Sequence, residues 1–512
     1  MATIIGTNSN NTLNGTTSAD TIIGRAGNDT LNGSGGNDRL NGGIGNDVLN
    51  GGTGTDTADY SNLVMSGTTY IGATAGIKVN LALTGSQNTG GAGIDTLVSI
   101  ENLIGTNFND TLTGNAANNV LSGLAGDDTL SGAGGNDQLT GGSGNDRLDG
   151  GSGIDTADYS TTTAGVKVNL ALTSAQNTVG AGSDTLVSIE NLIGTNFNDS
   201  LTGNAANNVL SGLAGNDTLL GGGGNDQLTG GNGNNRMDGG TGTDTASYSI
   251  ASAGVSIDLK SGDPQNNGSG GLDTLVNIEN LIGTNFNDSL SGNEANNVLS
   301  GLAGNDVLRA WGGGENVLDG GAGDDQLFGA TGNDVLTGGT GADVMDGGNG
   351  HDQLDGGTEA DVMGGGAGHD RLIGGSGTDQ LNGDEGNDLL LGGLGADILN
   401  GGSGNDIFDY NAISDSPVGA GRDVIQDFRG GFYFEADRID LRDIDANSLV
   451  AGNQAFSYIG FDAFTAAGQL RYSSITGILQ GNTDADAAPE FEIQLIGGPV
   501  LTVNNVVTDI LL

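Results

Sequence analysis

The chain has 512 residues, 101 of them glycine and 4 proline, and a formal net charge of −49. That composition does not suit one compact globular core or collagen, which needs glycine at every third residue and abundant proline. The charge argues against nucleic acid or an anionic membrane as partners. The chain has no cysteine, so disulfides and cysteine-ligated zinc are excluded. No apolar run approaches the roughly 20 residues of a membrane-spanning helix.

From the N-terminus, Asp20, Asp29, Asp38, Asp47 and Asp56 recur nine residues apart, with Ile22, Leu31, Leu40 and Leu49 two residues after the first four. Asn11 with Leu13 extends this register one unit earlier as an uncharged first turn. The opening Met1-Ala-Thr-Ile-Ile lacks the basic and apolar regions of a cleavable signal. No separate upstream catalytic domain is expected.

A longer period follows. Gly-Thr-Asn-Phe-Asn-Asp occurs at Gly105–Asp110, Gly194–Asp199 and Gly283–Asp288, 89 residues apart, each time after Asp-Thr-Leu-Val-x-Ile-Glu-Asn-Leu-Ile from Asp95, Asp184 and Asp273. Upstream stretches such as Gly165–Leu172 alternate with a period of two and read as strand. Each phrase opens a nonapeptide block. The first carries Asp110, Asn119, Asp128, Asp137, Asp146 and Asp155; the second carries Asp199, Asn208, Asp217, Asp226, Asn235 and Asp244. The third begins Asp288, Asn297, Asp306, slips by one residue around Trp311–Asn316, and resumes. The first copy carries an insertion around Asn62–Gly72. Tyr60, Tyr159 and Tyr248 occur in all three copies, whereas Asp59 and Asp158 become Ser247. Glu101, Glu190 and Glu279 also recur, and are read as structural hydrogen-bonding groups or cation ligands rather than catalytic acids.

The longest unbroken array is Asp325, Asp334, Asp343, Asp352, Asp361, Asp370, Asp379, Asp388, Asp397 and Asp406. Two residues after each comes a large apolar side chain, from Leu327 to Phe408, in units such as Gly338-Gly339-Thr340-Gly341-Ala342-Asp343-Val344-Met345. The glycine-rich part can form a tight turn, and Asp-x-Leu-x one short strand with the aliphatic group inward. One unit cannot bury its apolar face alone. Two make an 18-residue coil, and stacked coils bury a ladder of Leu, Met and Phe while gathering the aspartates into two columns. Column neighbours at about 4.8 Å repel by roughly 3.5 kcal/mol at an effective dielectric near 20. The fold therefore needs cations, and several hard oxygens in flexible turns favour Ca²⁺. All the aspartates named in these registers are candidate metal ligands. Glu359 stands where the third glycine belongs, which marks the Asp361 turn as a weaker site. Without Ca²⁺ the chain is expected to be largely disordered.

Residues 409–512 gain aromatics and lose glycine. Asp423–Phe428, Asp437–Leu441, Ala455–Gly460 and Phe491–Leu495 read as short strands of a roll cap or sandwich.

The motif Gly-Gly-x-Gly-x-Asp-x-Leu-x resembles the nonapeptide of the RTX, or haemolysin-type calcium-binding, repeat family. The resemblance implies a parallel β-roll with Ca²⁺ between consecutive turns, held by aspartate carboxylates and turn-glycine carbonyls. The tail resembles the C-terminal domain of serralysin-type proteases, which implies a cap followed by an uncleaved type I secretion signal; Asp509-Ile-Leu-Leu512 matches that ending.

The expected fold is all-β: a parallel β-roll or solenoid of Ca²⁺-binding repeats, interrupted by strand-rich modules and closed by a β cap. The expected divisions are roll over 1–59, strand-rich segments over 60–109, 159–198 and 248–287, roll blocks over 110–158 and 199–247, a long roll over 288–408, and the cap and signal over 409–512. No His-Glu-x-x-His, Gly-x-Ser-x-Gly or cysteine nucleophile is present. His351 and His369, 18 residues apart, are read as solvated turn residues, and Trp311 as a plug over the register slip. The expected function is a non-enzymatic, secreted or cell-surface bacterial protein that folds on Ca²⁺ and serves in a surface layer, matrix or adhesion. Its expected partners are its own copies or a matrix polysaccharide, together with the type I machinery, and no membrane insertion is expected. The alternative is a polysaccharide-active or carbohydrate-binding exoprotein with its site in the strand-rich modules.

Overall fold

In a computed structural model, which describes residues 2–65, 68–70, 73–431, 436–503 and 508–512, regular structure is entirely β-strand among the described residues. The first-copy insertion at Asn62–Gly72 lies partly outside them; its described part is a hairpin of Leu63–Met65 against Thr68–Tyr70. The chain divides into two compact units, Met1–Ala246 with Gly270–Ile278, and Ser247–Ser269 with Glu279–Leu512.

Each unit is a parallel β-solenoid with a coil of 18 residues. The register pairs Val344 with Val362 and Met345 with Met363 on one wall, and Leu336 with Leu354 and Leu354 with Leu372 on the other. Nine residues cross one wall and turn, and the next nine return along the opposite wall. The aliphatic residue of every Asp-x-Leu points into the space between, and Leu327, Leu336, Leu372, Leu390 and Phe408 have no exposed surface. This thin apolar ladder, one side chain per half-coil, is the core.

The strand-rich segments are not separate sheets, because they supply rungs to the same walls. In the first unit one wall runs through Ala58, Leu103 and Leu121, and later through Ala157, Leu192 and Leu210, without a break. The opposite wall ends at Leu97, stacked on Leu49, and restarts at Val79, stacked under Leu112. It ends again at Leu186 on Leu148 and restarts at Val168 under Leu201. At each ending an antiparallel pair folds back, Gln87–Asn88 on Ile94–Asp95 and Gln176–Asn177 on Ser183–Asp184. Each segment thus closes one wall and reopens it.

In the second unit the register slip is absorbed without interrupting the walls, since Val298 pairs with Val317 and Leu299 with Leu318. Trp311 is 45% exposed and lies under the Lys260 ammonium at 5.3 Å, so it does not plug the core as the sequence reading expected. The extra residue is taken up in the turn after Arg309, where Ala310, Gly314 and Asn316 are buried and Trp311 faces outward.

The tail continues the solenoid before it caps it. Asp423–Ile425 stacks on Leu399, Arg438–Asp440 on Phe408, and Ile510–Leu511 on Ile439. An antiparallel meander, Gln469–Ser473, Ile478–Asn482 and Phe491–Leu495, joins the other wall where Ile425 meets Leu495. Phe491, Ile493 and Leu495 cover the last rungs with buried side chains.

Candidate metal centres

The glycine-rich turns deliver the aspartates to two columns, one along each edge of a coil stack. In each column the backbone N–H of one aspartate donates to Oδ1 of the aspartate one coil on. Asp325 reaches Asp343 at 2.8 Å, Asp343 reaches Asp361 at 2.8 Å and Asp361 reaches Asp379 at 2.9 Å. In the other column Asp334, Asp352 and Asp370 reach Asp352, Asp370 and Asp388 in the same way, each at 2.8 Å.

That bond satisfies one oxygen. The other, Oδ2, is buried and has no hydrogen-bond partner at Asp29, Asp38, Asp47, Asp56, Asp128, Asp137, Asp146, Asp155, Asp217, Asp226, Asp306, Asp325, Asp334, Asp343, Asp352, Asp361, Asp370, Asp379, Asp388 and Asp397. Asp244 and Asp406 are buried at the same position of their coils. A buried carboxylate oxygen with no donor costs several kcal/mol unless it is protonated or meets a cation. Burial, reinforced by neighbouring column acids, pushes Asp128, Asp325, Asp352, Asp361, Asp388 and Asp397 up to about 7.

The oxygen faces a cradle that only glycine leaves open. A Cβ on Gly338 would lie 2.3 Å from Asp343 Oδ2 and 2.7 Å from the Gly356 carbonyl oxygen, so carboxylate and carbonyl converge on one point. The third glycine is equally constrained: Gly341 has φ +121°, and its Cβ would meet the Gly323 carbonyl at 2.2 Å. Anionic carboxylate and neutral carbonyl oxygens, several per turn, are the donor set of a Ca²⁺ site. The residues present therefore fit that ion.

Asp20, Asp110, Asp199 and Asp288 differ from the other candidates. Both carboxylate oxygens are bonded at Asp110, where Oδ2 accepts from the Thr106 N–H at 2.6 Å and Oδ1 from the Thr106 hydroxyl at 2.9 Å and the Ile77 N–H at 2.7 Å. Thr195 and Thr284 treat Asp199 and Asp288 alike, and Thr16 holds Asp20 Oδ2 through its N–H and hydroxyl.

Several column members were missed by reading nonapeptides alone. The Asp47 N–H donates to Asp95 Oδ1 at 2.9 Å, Asp146 to Asp184 at 2.9 Å, and Asp397 to Asp423 at 2.9 Å. The signal was present, because Asp95-Thr-Leu97 and Asp423-Val-Ile425 repeat the Asp-x-Leu spacing without its glycines. The recurrent glutamates occupy the columns too: Glu101 Oε2 accepts from the Asp56 N–H at 2.7 Å and Glu190 Oε2 from the Asp155 N–H at 2.8 Å. Tyr159, buried, donates to Asp184 Oδ2 at 3.2 Å.

A second, outer ladder runs beside the columns. Where the residue before an aspartate is Asn, Asp or His, its side chain accepts the N–H one coil on, as Asn28 does from Asn46 at 3.0 Å. His351 and His369 belong to it. His351 Nδ1 accepts from the His369 N–H at 2.7 Å and His369 Nδ1 from the Asn387 N–H at 2.8 Å, with the rings stacked 4.9 Å apart. They are exposed turn residues, as expected, with a structural acceptor role in addition.

A parallel solenoid edged by stacked carboxylates with buried, cation-seeking oxygens defines the class of calcium-binding β-rolls. Family comparison gives the same answer in more particular terms. The family described as RTX calcium-binding nonapeptide repeat matches residues 5–40, 24–58, 104–139, 123–157, 193–228, 211–246, 282–313, 312–336, 328–363, 337–372, 355–390 and 373–408, which together span more than half of the chain. The chain belongs to the RTX calcium-binding repeat family, whose repeats bind Ca²⁺ and are typical of secreted bacterial proteins. A comparison with curated proteins found no match. No helix among the described residues is long and apolar enough to cross a membrane.

Proposed function

We propose that this is a non-enzymatic exported protein that folds when it meets extracellular Ca²⁺ and then serves as a structural or adhesive element. The observation that carries the reading is the row of buried, partnerless Asp Oδ2 atoms, because a metal-free roll would have to bury them charged or take up protons. Ca²⁺ sites of the roughly 10⁻⁴–10⁻³ M class seen in extracellular modules stay empty at cytosolic Ca²⁺, which keeps such a chain unfolded for export. Outside, binding stabilises the fold by mass action. Asp509 and Ile510, in the stretch that resembles a type I export signal, are buried in the folded cap, where Asp509 accepts from the Gly431 N–H at 2.8 Å; a signal placed there would be read before folding.

An adhesive or assembly role is supported by repetition of surface as well as core. Phe108, Phe197 and Phe286 are 47%, 46% and 46% exposed at equivalent positions of the three modules. Partners of this reading are further copies of the chain or a matrix polysaccharide. One observation favours the second reading, a carbohydrate-binding exoprotein: a cleft of about 410 Å³ beside the second strand-rich segment is lined by Asn107, Ser122, Thr140, Ser143 and Thr161–Thr163, a neutral, hydroxyl-rich surface on an acidic protein.

Circular dichroism with and without EDTA tests the folding claim. Strong β signal only with Ca²⁺ is expected, and equal signal in both would refute it. Electron microscopy after Ca²⁺ addition tests assembly, with lattices or filaments expected and persistent monomers counting against them.

A further inference from the structure

The same letter, aspartate, occupies two electrostatically different positions in this chain, and the residue four places upstream tells them apart. At Asp128, Asp137 and Asp146 that residue is Leu124, Ala133 and Gly142, all left-handed, with φ of +77°, +78° and +100°. Each of these aspartates has a buried Oδ2 without a partner. The correspondence holds at every nonapeptide aspartate with such an oxygen, including those preceded by the non-glycine residues Arg25, Ser34, Leu213, Leu302, Ala330 and Asp384. A left-handed non-glycine residue costs about 1–3 kcal/mol, and its recurrence here indicates that the turn is held by its surroundings.

At the first coil of each block the residue four upstream is not left-handed, and its N–H turns onto the acid instead. Thr106 closes both oxygens of Asp110, and Thr195 does so for Asp199. In the other column the acid itself is replaced. Asn119 Oδ1 accepts from the Asn115 N–H at 2.7 Å, and its Nδ2 donates to the Glu101 carbonyl at 2.7 Å. Asn208 repeats this with Glu190 at 2.7 Å, and Asn297 with Glu279 at 2.6 Å. The preceding coil offers a carbonyl oxygen there, so a carboxylate would set oxygen against oxygen, whereas the amide supplies the donor itself.

We infer that the residue four before each column acid selects which turns take Ca²⁺: a left-handed residue leaves the carboxylate open to the ion, and a Thr closes it with protein hydrogen bonds, while in the other column Asn stands in place of the acid. The roll is thereby divided into separately loaded blocks, each opening on a coil that is satisfied without metal. Asp20, Asp110, Asp199 and Asp288 hold no ion, although their sequence register is that of the ligands. This inference rests on the calcium reading above and specifies where the ions go.

The full chain, dialysed to equilibrium against saturating Ca²⁺, tests it by ions bound per chain. Asp110→Asn and Asp199→Asn are expected to retain the unsubstituted stoichiometry, while Asp128→Asn and Asp217→Asn each lose about one ion per chain. Loss of Ca²⁺ in D110N or D199N equal to that in D128N or D217N would overturn the inference. Two matched pairs in different blocks keep the comparison decisive if one variant fails to fold. Failure of the unsubstituted chain to bind any Ca²⁺ would overturn the calcium reading along with it.

Discussion

Glu359 shows how much a single residue of the nonapeptide can cost. It stands at a third-glycine position with φ +80°, and its charge adds to the acids around Asp343 and Asp361. Asp361 nevertheless keeps the geometry of its neighbours, with its N–H on Asp379 and its Oδ2 2.3 Å from where a Cβ on Gly356 would lie. The weakness expected at this turn therefore lies in backbone strain and charge rather than in displaced ligands. Glu359→Gly relieves the left-handed strain, and a gain of about 1 kcal/mol is expected. It would be read as a lower Ca²⁺ concentration at half-folding by circular dichroism. Gly338→Ala should act in the opposite direction, since its Cβ would occupy the point where Asp343 Oδ2 and the Gly356 carbonyl converge. Calcium-dependent folding should weaken markedly, and an unchanged midpoint would contradict the cradle.

The coil is the unit at the next scale. Each half-coil contributes one inward aliphatic side chain, so Leu354 touches its own wall neighbours Leu336 and Leu372 in register and has no second core layer behind it. Leu354→Ala is expected to cost about 2–5 kcal/mol, the range for a buried leucine. It should raise the Ca²⁺ midpoint without changing the number of ions bound, which calorimetric titration would separate from a ligand loss. Period-two and period-nine reasoning identified these elements because side-chain alternation and turn glycines are local properties. That Asp95-Thr-Leu97 and Asp423-Val-Ile425 are also rungs was not legible in the glycine pattern, since their turns are closed by antiparallel pairs and by the cap. The outer ladder of Asn and His was hidden for a different reason: its acceptors meet an amide a full coil away.

Proton and Ca²⁺ binding compete over the whole molecule. Asp47, Asp146 and Asp217, like Asp325, Asp352, Asp361, Asp388 and Asp397 of the long array, are raised to about 7 in the folded chain by burial. An acid whose folded pKa is raised favours the metal-free fold only while it is protonated. That contribution is complete below the unfolded value near 4 and is lost as pH rises towards about 7. In EDTA, β content should therefore be higher near pH 5 than near pH 8. Because Ca²⁺ takes the carboxylates in their charged form, adding it to weakly buffered metal-free protein that has folded near pH 5 should release protons. A flat pH trace on Ca²⁺ addition would mean that the columns are already ionised in the fold.

The strict nine-residue recurrence of acid, glycine and aliphatic determined by itself the all-β class, the parallel roll and the choice of a hard divalent cation. Those follow from local turn chemistry, side-chain alternation and the charge of the columns. Tertiary structure was needed to show which acids remain open to the ion. An aspartate is spent or available according to whether the peptide four residues before it turns its N–H inward, and that turn is set by the coil stacked against it. The same stacking made the strand-rich segments part of the solenoid, because a strand with no partner of its own can satisfy its backbone only on the wall beside it.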